Sequence, residues 1–105
     1  MSVIMTMIAE GDPARLEQFA AANPDKMAAI RDHAVEHGLI AHRFYGSDGQ
    51  IMVIDEWPDE QSFLDFFAHM ASEIGPMMQE AGITSEPHPV FWQKIESRDA
   101  YGWDA

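Results

Sequence analysis

Cysteine is absent from this chain. That excludes a disulfide framework, a thiol nucleophile and a Cys-based zinc site, and it is compatible with a reducing interior. Basic residues are scarce: six Lys and Arg stand against 18 Asp and Glu, for a net charge of −12. Such a balance repels phosphate backbones and anionic lipid, so neither nucleic acid nor a membrane surface is an expected partner. Long apolar runs are also missing. The N-terminal run from Val3 to Ala9 is too short to span a bilayer and lacks a basic segment before it, so a signal peptide is not expected. The cytoplasm is the expected compartment. No Gly-rich phosphate loop and no serine-elbow motif occurs, because Gly46 and Gly49 read as turn glycines.

What is present is apolar. Hydrophobic residues make up 47% of the 105 and aromatics 10%. A chain of this length buries roughly two-thirds of its unfolded surface, enough for one modest core. We expect a single domain over residues 1–97. Residues 98–105 are expected to form a polar tail carrying Tyr101 and Trp103, either loose or docked on a neighbour.

The strongest local signal is Leu39 to Trp57, LIAHRFYGSDGQIMVIDEW. Two apolar-rich runs flank Ser47-Asp48-Gly49, and Asp-Gly between such runs marks a hairpin, since Gly supplies a positive φ without steric cost. Before it, Ser2 to Glu10 reads as a strand with apolar residues of both parities. Asp12 caps a helix whose first residue is Pro13, with Leu16, Phe19 and Ala20 inward. Asn23-Pro24 interrupts that helix, and a second piece runs to His37 with Met27, Ile30 and Ala34 inward, closed by Gly38. After the hairpin, Pro58-Asp59 opens a helix in which Phe63, Phe66, Phe67 and Met70 fall at i, i+3, i+4 and i+7. Gly75-Pro76 is expected to break it, leaving a short turn of helix with Met77, Met78 and Ala81 before Gly82. Pro87 to Ile95 is the last strand, its prolines at a sheet edge or outside the ladder.

The order β-α-β-β-α-β is the ferredoxin-like α+β pattern, a four-stranded antiparallel sheet with helices on one face. Val3, Met5 and Met7 oppose Ile4 and Ile8 in parity, and Ile51 and Val53 oppose Met52 and Ile54. Apolar residues on both faces demand a cover for the helix-free side, most simply a second copy related by a two-fold axis. A homodimer through the sheet faces is therefore expected.

The stretch HRFYGSDGQIMVIDEWPDEQSFLDFF, positions 42–67, together with VFWQKIE at the last strand, resembles the dimeric α/β-barrel superfamily. It is most similar to the small proteins related to antibiotic-biosynthesis monooxygenases. The resemblance spans nearly the whole chain and implies a dimeric barrel. The superfamily includes cofactor-free monooxygenases, haem-degrading enzymes, isomerases and members without a known reaction. Haem-degrading relatives carry an axial His in or after the last helix; here ASEIGPMMQEAG has none, and His69 sits too early. No cofactor is expected.

Register within the hairpin sets the candidate chemistry. A two-residue loop, or a four-residue loop of the same parity, sets His42 opposite Asp55, with Cβ atoms roughly 5 Å apart. Ile40, His42 and Phe44 then share a face with Val53, Asp55 and Trp57. A three-residue loop places His42 beside Ile54 and Glu56 instead. A carboxylate that holds an imidazole fixes its tautomer and suits it to proton abstraction from a phenolic or enolic substrate. His42 and Asp55 are the candidate catalytic pair; the plainer alternative is a half-buried ion pair. Arg43 and Tyr45, of opposite parity, recognise an anion, pair with Glu56 or meet a dimer partner. Phe44, Trp57, Phe63, Phe67 and Trp92, with Phe66 and Phe91, are candidates for an apolar pocket that takes a flat aromatic or polyketide-like molecule, against plain core packing. His33 and His37 are at i, i+4 beside Glu36, but no third ligand is evident and no metal is expected. The implied activity is oxygen-dependent and cofactor-free. The alternative is a non-catalytic homodimer whose pocket is closed or only sequesters a ligand.

Overall fold

The structure is a computed structural model and describes residues 1–103. Along the chain run β1 (Val3–Glu10), α1 (Pro13–Ala22), α2 (Pro24–Glu36), β2 (Ala41–Ser47), β3 (Gln50–Trp57), α3 (Glu60–Glu80) and β4 (Val90–Trp92). The strands form one sheet in the order β2-β3-β1-β4, antiparallel throughout. This is the ferredoxin-like arrangement, with α1 and α2 together filling the first crossover. The last two residues of the expected tail, 104–105, lie outside the described residues.

Short-range chemistry sets the helix ends. Asp12 accepts the Ala14 amide at 3.0 Å, and Pro13 occupies the first turn, where its missing N–H costs nothing. Asn23 closes α1 through its side-chain amide, which donates to the Phe19 carbonyl at 2.9 Å, and Pro24 then starts α2. Asp59 caps α3 by accepting the Ser62 amide and hydroxyl, both at 2.8 Å. Those two bonds favour the ionised carboxyl and hold it below the usual aspartate range.

Period-two burial organises the sheet. Val3, Met5, Met7 and Ala9 of β1 and Ile51, Val53 and Trp57 of β3 are buried under the helices. Phe63, Phe66, Met70 and Ile74 of α3 meet them, with Trp57 and Met5 fully buried at the centre. A second cluster of Ala9, Leu16, Ile51, Ala81 and Ile83 closes the hairpin end. On the other face Ile4, Thr6, Met52 and Ile54 are half-buried, and Ile8 is exposed.

Three local expectations are corrected. First, α3 runs unbroken through Gly75 and Pro76. An interior proline costs about 3 kcal/mol. Continuing the helix buries Ile74 and brings Ala81 and Ile83 into the core, and a buried aliphatic side chain is worth roughly 1.5–3 kcal/mol. The packing terms win. Second, the last strand is only Val90–Trp92. Upstream, the Thr84 amide donates to the Glu10 carbonyl at 3.1 Å and Ser85 Oγ accepts the Glu10 amide at 2.9 Å, but Pro87 and Pro89 have no N–H to extend a ladder. Third, Gly46 is not a turn residue: it lies inside β2 opposite Ile51. A Cβ there would sit 2.6 Å from the Pro13 Cβ, so its role is close approach of β2 to the start of α1.

Candidate functional site

Gly49 adopts φ +69°, and the chain reverses between Ser47 and Gln50, which pair across the hairpin. From that turn each backward step fixes a pair, and the fifth puts His42 opposite Asp55. Of the alternatives open in the sequence, the two-residue turn is the one formed. His42 Nδ1 lies 2.6 Å from Asp55 Oδ1. Trp57 Nε1 donates to Asp55 Oδ2 at 3.1 Å. Among the described residues Asp55 is the one buried charged side chain, 6% exposed, and both its oxygens are engaged. An ionised carboxylate only accepts, so Nδ1 is the donor in this pair, and in the neutral imidazole the lone pair is then on Nε2. Phe44, two residues along β2, meets the His42 ring edge-on at 4.9 Å between centroids.

The pair opens onto a cavity of about 460 Å³ between sheet and helices. That lies within the range of about 300–1,000 Å³ common for small-molecule sites. Met7, His42, Phe44, Val53 and Asp55 line it from the sheet. Leu16 and Ala20 of α1, Met27, Ile30, Arg31 and Ala34 of α2, and Phe63, Phe66, Phe67, Ile74, Met77 and Met78 of α3 line it from the helices.

Phe44, Phe63 and Phe67 are thus at the cavity, and two expected wall residues are not. Trp57 is fully buried behind the His42–Asp55 pair, packed on Phe63 and Phe66 at 5.7 and 5.5 Å between ring centroids. Its contribution is the N–H that holds Asp55. Trp92 lies on the opposite face of the sheet, in register with Ile4, and its Nε1 donates to Thr6 Oγ1 at 2.8 Å. Strand parity is the reason: the neighbouring Phe91 points to the helices and meets Phe63 at 5.7 Å. Phe66, also among the pocket candidates, is at the wall; sequence reasoning missed Arg31 altogether and placed Met77 and Met78 on a short turn of helix, not at a pocket. The signal for Arg31 was spacing, since it lies four residues after Met27 and three before Ala34, on the apolar stripe.

Arg43 and Tyr45 are on the helix-free face, with the guanidinium 5.8 Å from the Tyr45 ring centroid. The cross-strand pair with Glu56 is not formed, because Arg43 opposes Ile54 while Glu56 opposes Ala41 and accepts from Ser2 Oγ at 2.5 Å. His69 joins His33 of α2 and His37, which caps that helix, its ring 5.9 Å from that of His33 and 5.7 Å from that of His37. His33 Nδ1 is 3.7 Å from Glu36, and the His37 Nδ1 bonds the His33 carbonyl at 2.9 Å. Among the described residues no three His, Asp or Glu side chains are placed to hold a metal ion. No described helix is long and apolar enough to cross a membrane.

No family model matches the sequence, and no curated protein matches it. Solved structures do. A monooxygenase from Streptomyces coelicolor, solved with the ligand nanaomycin D, is similar at TM-score 0.66 and 16% identity, over 91% of this chain and 89% of its own. An antibiotic biosynthesis monooxygenase is similar at TM-score 0.61 and 14% identity, over 90% of this chain and 99% of its own. A dimeric ferredoxin-like protein from an uncultured marine organism is similar at TM-score 0.64 and 12% identity, over 91% and 90%. With the strand order, register and helix-covered face described above, these likenesses show that the chain has a ferredoxin-like α+β fold, shared with these solved structures.

Proposed function

We propose that this protein is a cofactor-independent, monooxygenase-like enzyme that acts on a small aromatic or polyketide-like molecule held in the cavity. The observation that carries the reading is the buried Asp55 carboxylate bonded to His42 at the wall of a mostly apolar cavity. His42 Nε2 takes a proton from an acidic C–H of the ligand. The carbanion passes electrons to molecular oxygen and forms a C–O bond. After protonation, the hydroperoxide loses water to leave a carbonyl, so that CH2 and O2 become C=O and H2O. Phe44, Phe63 and Phe67 hold the ring system, and the surrounding apolar side chains keep bulk water from the carbanion.

The working form in this proposal is a homodimer, and it works in the cytoplasm. Support for the dimer is the apolar helix-free face, where Ile8, Tyr45 and Trp92 are exposed beside Ile4, Met52 and Ile54. A similar protein described as dimeric supports the same reading.

Anthrone, a tricyclic ketone with an acidic CH2, is the simplest probe, and oxygen uptake the measurement. The native protein is expected to consume one O2 per anthrone oxidised, and His42→Ala to slow this by about 10²–10⁴-fold with its far-UV circular dichroism unchanged. Equal rates in the two proteins would remove His42 from the chemistry. Binding without turnover in the native protein would favour the alternative, a module that sequesters its ligand.

A further inference from the structure

Polar groups on the cavity wall are few, and Arg31 is unlike the rest. Asp55 has no free oxygen, since His42 and Trp57 take both. His42 offers one nitrogen. Arg31, on α2, is the one lysine or arginine among the lining residues. In a chain of net charge −12 with six basic residues, the other described cations on the helix side are engaged elsewhere. Arg15 donates to the Glu80 carbonyl at 3.2 Å, and Lys26 stands 3.8 Å from the Glu80 carboxylate. Arg43 is across the sheet, over Tyr45. Arg31 contacts only its neighbour Asp32 among the described residues, Nη2 to Oδ1 at 3.4 Å, with both side chains more than half exposed. A pair of that kind is weak and yields readily to a better-placed anion.

We propose that Arg31 is the recognition residue for an acidic substituent on the ligand, so that the cavity takes an anionic ring compound in preference to its neutral counterpart. The inference rests on the cavity's being a ligand site. A guanidinium binds carboxylate with two parallel hydrogen bonds. The short-range pairing offsets the long-range repulsion an anion meets from the acidic surface. Arg31 is on the helix wall and His42 on the sheet wall, so the ligand is held at two points. Its acidic end faces α2, and the carbon that loses a proton faces Nε2.

The test compares anthraquinone-2-carboxylate with anthraquinone-2-carboxamide, two ligands of one shape that differ in charge, by titration calorimetry on the native protein and on Arg31→Gln. Arg31 is exposed and its only described partner is Asp32, so the variant is expected to fold, which circular dichroism checks. The native protein is expected to bind the acid about tenfold more tightly than the amide. In Arg31→Gln that preference disappears while amide affinity is retained. An acid-to-amide ratio equal in the two proteins, or a native preference for the amide, overturns the role of Arg31 and leaves the cavity reading standing. Failure of both compounds to bind the native protein overturns the cavity reading, and this inference with it.

Discussion

Asp55 is the residue on which the site turns. It is buried, it accepts from an imidazole on one oxygen and an indole on the other, and no buried side-chain polar atom among the described residues lacks a partner. An asparagine has one acceptor oxygen and cannot serve both donors. Trp57 has no alternative to donating, whereas His42 can change tautomer. In Asp55→Asn the amide oxygen is therefore expected to stay with Trp57 and the NH2 to face His42, driving the proton to Nε2. Nitrogen-15 chemical shifts of the His42 ring read this without any substrate. The native ring should be protonated at Nδ1 and the variant at Nε2, and an unchanged tautomer would show that Asp55 does not orient the base. The residue types and the Asp-Gly turn made this pair visible in sequence as one of two registers. Trp57's part was not visible, because an i, i+2 contact on one strand face depends on side-chain placement against Phe63 and Phe66.

At the scale of elements, α3 shows packing overriding local propensity. Gly75-Pro76 reads as a stop because proline lacks the N–H that would bond the Ser72 carbonyl and crowds the preceding turn. The helix persists since its inner stripe continues from Met70 through Ile74 to Met78, both ends of which lie on core clusters. Pro76 is exposed, so removing it deletes no buried contact. Pro76→Ala is expected to stabilise the protein by about 1–3 kcal/mol, less the modest gain in unfolded-chain entropy that alanine brings. At this size that is a rise in Tm of roughly 4–8 °C per kcal/mol, measured at fixed protein concentration. A Tm that stays or falls would mean the proline conformation is favoured where it stands. Caps tell the opposite story. Asp12, Asn23, Gly38 and Asp59 end or start helices where the sequence puts them, because a cap needs only neighbours within four residues.

At the scale of the molecule, one face of the sheet has its helices and the other has none. Ile54 sits in the middle of the bare face, between Thr6 on β1 and Arg43 on β2. The native protein is expected to sediment as a dimer at micromolar concentration, and Ile54→Glu as a folded monomer, because a charge there cannot be desolvated against a second apolar sheet. A native monomer in velocity sedimentation would refute the two-fold assembly and leave that face without a cover. The residue string alone settled the element order, the helix starts at Pro13, Pro24 and Glu60, the two-sided grease of β1 and β3 and hence the fold, all of which follow from periodicity and from contacts a few residues long. Three-dimensional packing settled the rest: which hairpin register forms, that Trp92 turns away from the cavity, that Arg31 reaches it, and that α3 survives its proline. These depend on groups tens of residues apart meeting across layers, where a shift of one position exchanges the buried face for the wet one.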